Sequence, residues 1–273
     1  MKNDSQFQPA KLLTIGGSDS GGAAGIQADL KTWTALAVYG MSVVTAVTAQ
    51  NSMQVTAVHY SPPDLVTAQI DAVLSDYGAQ ALKTGFIGKT DLIKVISSGI
   101  QEYKPAHVVI DPVLVNHQSQ PMFLPGVVEA YRTHLLPLAG LVTPNWAEAL
   151  LLSRVPASAL PHQENILEVI NRLHALGARH ILITGVHRDG LVIDTYSNGS
   201  QHQQLPRPWI ETENSHGSGD TLSAAICAYL AQGDSMVDAI LQAQKFTAKA
   251  LQAARHWRLG KGHGPLSHFS QAD

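Results

Sequence analysis

The sequence predicts an α/β protein, a three-layer αβα sandwich around a mostly parallel central sheet. Three observations carry this expectation. Short apolar runs, several of them β-branched, alternate with stretches whose apolar residues recur at helical spacing. Glycines or prolines follow several of the short runs, as turns leaving a strand require. The composition, 45% hydrophobic and 14% charged over 273 residues, is that of a packed globular chain.

Lys11 to Ile15 is the first apolar run, and the glycine-rich stretch Gly16 to Gly22 after it reads as a loop. Ile26, Leu30, Trp33 and Leu36 then lie at helical spacing. Val43 to Thr48 is a β-branched strand, Asp64 to Leu74 a helix, Ala81 to Thr84 a strand, Leu92 to Ile100 a helix and His107 to Asp111 a strand. Leu141 to Thr143 precedes Pro144, which suits the first turn of a helix. The period of Ile166, Ile170 and Leu173 leads into a strand from His180 to Thr184. Leu191 to Tyr196 and Gln201 to Leu205 flank Ser197-Asn198-Gly199 and form a hairpin, because Asn-Gly supplies the positive φ of a tight turn. That hairpin is expected to interrupt the alternation once. Gly217 to Leu230 and Asp234 to Ala254 close the chain as helices. One domain over residues 11–273 is expected behind a flexible tail, residues 1–10. In such a sheet, ligands sit outside the carboxyl ends of the strands.

Charge narrows the partners. Eighteen Lys and Arg against 21 Asp and Glu give a net charge of −3, with no block of like charge. Neither a nucleic-acid groove nor a polybasic membrane patch is expected, which leaves small molecules. The single cysteine, Cys227, excludes an intrachain disulfide and suits a reducing, cytoplasmic compartment. No signal peptide or membrane span is expected. The 13 histidines form no H-E-x-x-H and no convincing i,i+4 pair, so they read as surface residues. His187 and His216 stand apart because they lie in loops near candidate sites.

Ser215-His216-Gly217-Ser218-Gly219-Asp220-Thr221 comes directly before a long apolar helix. Its glycines let successive N–H groups of Gly217, Ser218 and Gly219 converge at the helix N-terminus, an anion cradle with a carboxylate beside it. Such amides would stabilise a transferring phosphoryl group, and Asp220 could accept the proton of an attacking hydroxyl. The structural alternative is a flexible loop with Asp220 as a first-turn acid favoured by the helix dipole. Gly88-Lys89-Thr90 ends like a Walker loop, but Lys83 stands where its first glycine belongs. No G-x-G-x-x-G falls within Gly16 to Gly25, which removes the main support for a dinucleotide enzyme. Asn145 and Glu148 lie one helical turn apart at the mouth of the sheet, where oxygen ligands suit Mg²⁺, although such residues more commonly cap a helix. Asp111-Pro112 is either a buried turn or a second acid near that metal.

Taken together these segments resemble the ribokinase superfamily, and within it the hydroxymethylpyrimidine and phosphomethylpyrimidine kinases of thiamine biosynthesis. The likeness is carried by Thr14 to Gly22, Ala24 to Thr32, Tyr39-Gly40-Met41-Ser42-Val43, Thr45 to Asn51, Asp111-Pro112-Val113, Thr143-Pro144-Asn145 with Glu148, His216 to Gly219 with Thr221 to Ala225, and Gly262-His263-Gly264-Pro265. It implies a ribokinase-like fold, ATP and Mg²⁺ as cofactors, phosphorylation of the pyrimidine's hydroxymethyl group and then of the monophosphate, and a homodimer. By the same resemblance Gly17, Asp19, Gln50, Phe86 and Val113 line the substrate pocket, with Phe86 where methionine is common. Gly217, Ser218, Gly219 and Asp220 are the catalytic group, Asn145, Thr184, His187 and Lys245 face the nucleotide, and Glu148 and Asp111 face the metal.

Two departures from the family pattern matter. Asp220 replaces the usual cysteine and is the residue that many pyridoxal kinases carry. Two phosphate-facing lysines are absent, at His117-Gln118-Ser119 and at Thr184-Gly185-Val186-His187, which is expected either to weaken nucleotide binding or to shift their task to Lys245, His117 or His187. Pyridoxal or pyridoxine kinase activity and a catalytically silent pyrimidine-binding protein are therefore the alternatives.

Overall fold

The structure is a computed structural model describing residues 8–116 and 120–269. Its elements in chain order are β1 (Lys11–Asp19), α1 (Gly25–Ala35), β2 (Tyr39–Gln50), β3 (Val55–Tyr60), α2 (Pro63–Asp76), β4 (Ala81–Thr84), α3 (Thr90–Tyr103), β5 (His107–Ile110) and α4 (Val127–Ala130). Then follow β6 (Leu141–Val142), α5 (Trp146–Ser153), α6 (Gln163–Ala175), β7 (His180–Arg188), β8 (Leu191–Ser197), β9 (His202–Pro208), α7 (Ser218–Ala231) and α8 (Met236–Ala254). These strands form one nine-stranded sheet in the order β3-β2-β1-β4-β5-β6-β7-β8-β9. The pairs from β2 through β7 are parallel, whereas β2–β3, β7–β8 and β8–β9 are antiparallel.

Side chains that alternate along each strand build the two outer layers. Leu13, Ile15, Leu82, Ile110, Val142 and Ile181 face one core with α2, α3, α5 and α6. Leu12, Ala81, Val109, Leu141 and Leu182 face the other, against Trp33 of α1 and the apolar residues of α7 and α8. The Trp33 indole donates to the Ala224 carbonyl at 2.9 Å, which ties α1 to α7. The βαβ crossovers bury both faces of the central strands, and all of β4 is buried.

Four features differ from the sequence expectation. Gly16 to Asp19 belong to β1 rather than to a loop, because Gly17 and Asp19 pair in register with Ala46 and Thr48 after a bulge, so ladder hydrogen bonds override weak strand propensity. The parallel pattern is broken at both edges rather than once. β3 is almost wholly exposed and so lacks a buried stripe, and the β7–β8 turn uses Asp189 and Gly190, both at positive φ. Pro144 stands before its helix, since Asn145 is the N-cap and α5 starts at Trp146. Beyond α4, Tyr131–Leu135 and Leu136–Leu138 continue as helical turns that the pattern did not announce.

Candidate active site

The carboxyl ends of β1, β4 and β5 meet the N-terminus of α7. Gly217, the N-cap, sits at φ +85° with no room for a side chain, since a Cβ would stand 1.9 Å from the Ala23 carbonyl oxygen. The cradle is thus pressed onto the loop that opens α1. Ser218 N donates to Ser215 O at 3.1 Å, whereas the amides of Gly219 and Asp220 meet no acceptor among the described residues, as helix geometry requires. The Asp220 side chain is 13% exposed.

Behind Asp220 lies a buried charge cluster. The fully buried Lys83 ammonium is 2.7 Å from Asp29, 3.3 Å from Asp220 and 3.8 Å from Asp111. Thr14 donates to Asp29 and Ser223 to Asp111, both at 2.6 Å. Burial alone would push the Lys83 amine down, but Asp29, Asp220 and Asp111 together outweigh it and hold the group protonated. Burial pushes the Asp29 carboxyl up, against the pull of Lys83. The Asp111 carboxyl is raised to about 6, first by burial, with Lys83 pulling it down and Asp220 pushing it up.

Most residues expected to line the substrate pocket lie on or beside β1 and β2. Gly17 is small because the Phe86 ring lies over it, 3.0 Å from where a Cβ would be. The Gln50 amide, at the end of β2, donates to His216 Nε2 at 2.8 Å and so joins this side to the cradle loop. Val113 is half-buried just past Asp111, and its N–H donates to the Asp111 carbonyl. Asp19 is buried, and its carboxylate accepts from the N–H groups of Gly21, Ala23 and Ala24 at 2.7–2.9 Å. Those bonds shape the loop and leave little of Asp19 for a ligand.

A family model for phosphomethylpyrimidine kinase matches residues 19–267. The chain belongs to that family. It is 43% identical over 262 residues to the hydroxymethylpyrimidine/phosphomethylpyrimidine kinase of Rhizobium meliloti, covering 95% of this chain and 97% of the relative. It is 41% identical to a thiamine biosynthesis bifunctional protein of Geobacter sulfurreducens over 98% of this chain, which spans only 54% of that longer protein. Among solved structures, the Staphylococcus aureus pyridoxal kinase in complex with AMP-PCP and pyridoxal superposes with a TM-score of 0.87 at 33% identity, covering 97% of this chain and 95% of that one. The ribokinase-like architecture of the phosphomethylpyrimidine kinase family therefore holds across the described residues.

At the start of α5, Asn145 and Glu148 form a reciprocal capping box: Glu148 N donates to Asn145 Oδ1 and Asn145 N to Glu148 Oε2, both at 3.0 Å. Glu148 Oε1 also accepts from Leu114 N. The capping role is thus real, and any metal role is additional to it. Burial and then Asp111 raise the Glu148 carboxyl to about 8. Thr184 is half-buried, bridged to Asn145, and the adjacent Gly185 N donates to the buried Asp194, which Gln244 of α8 also holds. His187 meets the Trp209 ring edge-on at 4.3 Å, and Lys245 lies exposed on α8. His117 lies outside the described residues.

Among the described residues no three acidic, His or Cys side chains converge as a closed metal site. Asp111 and Glu148 nevertheless repel one another, and the hydroxyls of Thr84, at the end of β4, and Thr143, just past β6, are buried without a partner. A cation completed by phosphate oxygens and water fits these donors.

Lys83, Asp29 and Ser223 are what the sequence reading missed. Lys83 interrupts an apolar strand, and Asp29 lies three residues after Ile26 and four before Trp33, on the buried stripe of α1. A charge on a buried stripe was the available signal. Several histidines are also not surface residues: His174, His180, His216 and His268 are half-buried and hydrogen-bonded.

Proposed function

We propose that this chain phosphorylates 4-amino-5-hydroxymethyl-2-methylpyrimidine and then its monophosphate with ATP, in thiamine biosynthesis or salvage. The observation that carries this reading is the pairing of Asp220 with unpartnered helix amides at a corner that the Gly17–Gln50 side also reaches. In the first step the substrate hydroxyl oxygen bonds to the γ-phosphorus as the bond to the ADP oxygen breaks, and Asp220 receives the hydroxyl proton. In the second, an oxygen of the monophosphate is the nucleophile. The Gly219 and Asp220 amides take the charge on the transferring oxygens. Transfer of this kind goes through a loose transition state, so positioning matters more than base strength. Asp111 and Glu148, with Thr143, would hold Mg²⁺, which neutralises phosphate charge when bound. Asn145, Thr184, His187 and Lys245 would face the nucleotide. The family likeness also supports a homodimer, and the lone buried cysteine supports a cytoplasmic setting. No helix among the described residues is long and apolar enough to cross a membrane.

Pyridoxal kinase activity is the second reading, favoured by Asp220 and by the fold shared with a kinase solved with pyridoxal. Parallel steady-state assays with ATP and each alcohol decide between them. A kcat/KM at least tenfold higher for the pyrimidine, about 1.4 kcal/mol at the transition state, is expected, and the reverse ratio overturns the assignment. Tight pyrimidine binding without turnover would instead indicate a silent binding protein.

A further inference from the structure

We propose that Lys83 is a positioning residue of the phosphoryl transfer: beneath the floor of the site, its ammonium holds the Asp220 carboxylate in the direction of the acceptor hydroxyl. This rests on the proposed role of Asp220 as proton acceptor. The three carboxylates around Lys83 are not held alike. Asp29 is tied to β1 by Thr14, and Asp111 is tied to α7 by Ser223. Asp220 is the most exposed of the three, and Lys83 is the side chain that contacts its carboxylate. The lysine stem rises from a strand buried along its whole length, and its closest contact, to Asp29, anchors the ammonium from the far side. Position of the charge is therefore set by buried elements, and Asp220 is the partner that no second side chain among the described residues holds.

The surroundings keep this contact next to the reacting centre. Gly85, two residues beyond Lys83 on the same strand direction, leaves open the space above the pair: a Cβ there would stand 3.7 Å from Lys83 Nζ and 3.9 Å from Asp220 Oδ1. A lysine serving only to neutralise Asp29 would need no contact with the first turn of α7. An ion pair this deeply buried adds little net stability, because desolvation offsets the attraction, so its placement under the catalytic carboxylate asks for a role in orientation.

The test uses the intact chain and a double-mutant cycle. Lys83→Met leaves three buried carboxylates without a cation and is at risk of not folding. The Lys83→Met/Asp29→Asn variant removes the tight pair as a unit and keeps an acceptor for Thr14. In whichever variant is folded by circular dichroism, dissociation constants for the pyrimidine and for ATP, measured by calorimetry, are expected within about threefold of wild type, while kcat falls at least about thirtyfold. Added to Asp220→Asn, the same change is expected to lower kcat no further, since Lys83 acts through Asp220. A kcat within about threefold of wild type, a loss confined to binding, or a loss that multiplies with that of Asp220→Asn would overturn the proposal. Wild-type protein that turns over neither the pyrimidine nor pyridoxal would overturn the kinase reading itself, a different result.

Discussion

Gly217 and Gly219 stand two residues apart in the cradle, and the structure gives them opposite reasons for lacking a side chain. At Gly217 the backbone is left-handed, φ +85°, and a Cβ would lie 1.9 Å from the Ala23 carbonyl oxygen and 2.9 Å from its carbon. An unstrained C···O approach is about 3.3 Å, so Gly217→Ala must force the two loops apart by more than about 1 Å. The left-handed backbone contributes about 1–2 kcal/mol of destabilisation and the forced shift about 1–3 kcal/mol, roughly 2–5 kcal/mol together. With an unfolding entropy of about 2.1 cal/mol/K per residue, that lowers Tm by about 4–9 °C. Displacing the amides by about 1 Å should also reduce kcat about a hundredfold. At Gly219 a Cβ meets nothing within 4 Å and φ is not positive. Gly219→Ala should leave Tm unchanged or raise it by up to about 2 °C, helix propensity favouring alanine by about 1 kcal/mol. On the proposed function the methyl would enter the space the phosphoryl group takes, so kcat/KM for ATP should fall at least about tenfold. Thermal unfolding followed by circular dichroism, with steady-state kinetics on the same preparations, reads both. A Gly217→Ala Tm within about 1 °C of wild type would refute the packing argument, and a fully active Gly219→Ala would place the phosphate elsewhere.

Asp220→Asn should leave pyrimidine and ATP dissociation constants near those of wild type and lower kcat at least tenfold; a wild-type kcat would remove Asp220 from proton transfer. Asn145→Ala breaks the capping box, so Tm should fall by about 2 °C, corresponding to about 1 kcal/mol. If Asn145 also serves the nucleotide, the Mg²⁺ concentration for half-maximal rate should rise severalfold, and an unchanged value would leave Asn145 as a cap alone. His268 is lowered to about 4, first by burial and then by Lys31. The unfolded chain therefore binds the proton that the fold refuses, and stability present above pH 6.5 is lost as pH falls toward 4, by roughly 1–3 kcal/mol. In His268→Gln that acid-side decline in Tm should flatten; an unaltered profile would show that His268 does not carry it.

Local signals account for much that proved correct. Short continuous apolar runs marked β4, β5 and β6, which are buried on both faces, and a helical period marked α2, α3 and α6, on whose residues one buried face imposes it. Glycine spacing marked the cradle for a similar reason: a left-handed N-cap pressed against Ala23 tolerates no other residue. Where a segment buries little, as β3 does, there is no pattern to read, and the antiparallel edge it forms with β2 went unrecognised, whereas the β8–β9 hairpin was legible from Asn198-Gly199. Gly16 to Asp19 belong to the strand rather than the expected loop, since pairing with β2 outweighs what glycines prefer in isolation, while Ser20 to Gly22 form the expected turn.

The charge cluster lies beyond any local pattern. Lys83 meets carboxylates from α1, the end of β5 and the start of α7, the last of them 137 positions away from it in the chain. A carboxylate is the same chemical group whether it shapes a loop, as Asp19 does, or waits at a helix end, as Asp220 does. Preferences of φ, ψ and burial are written residue by residue, and those the amino-acid order carries outright. Which charges meet, and which of them still faces solvent, follows from sheet register and helix packing, because electrostatic partnership depends on distance through space.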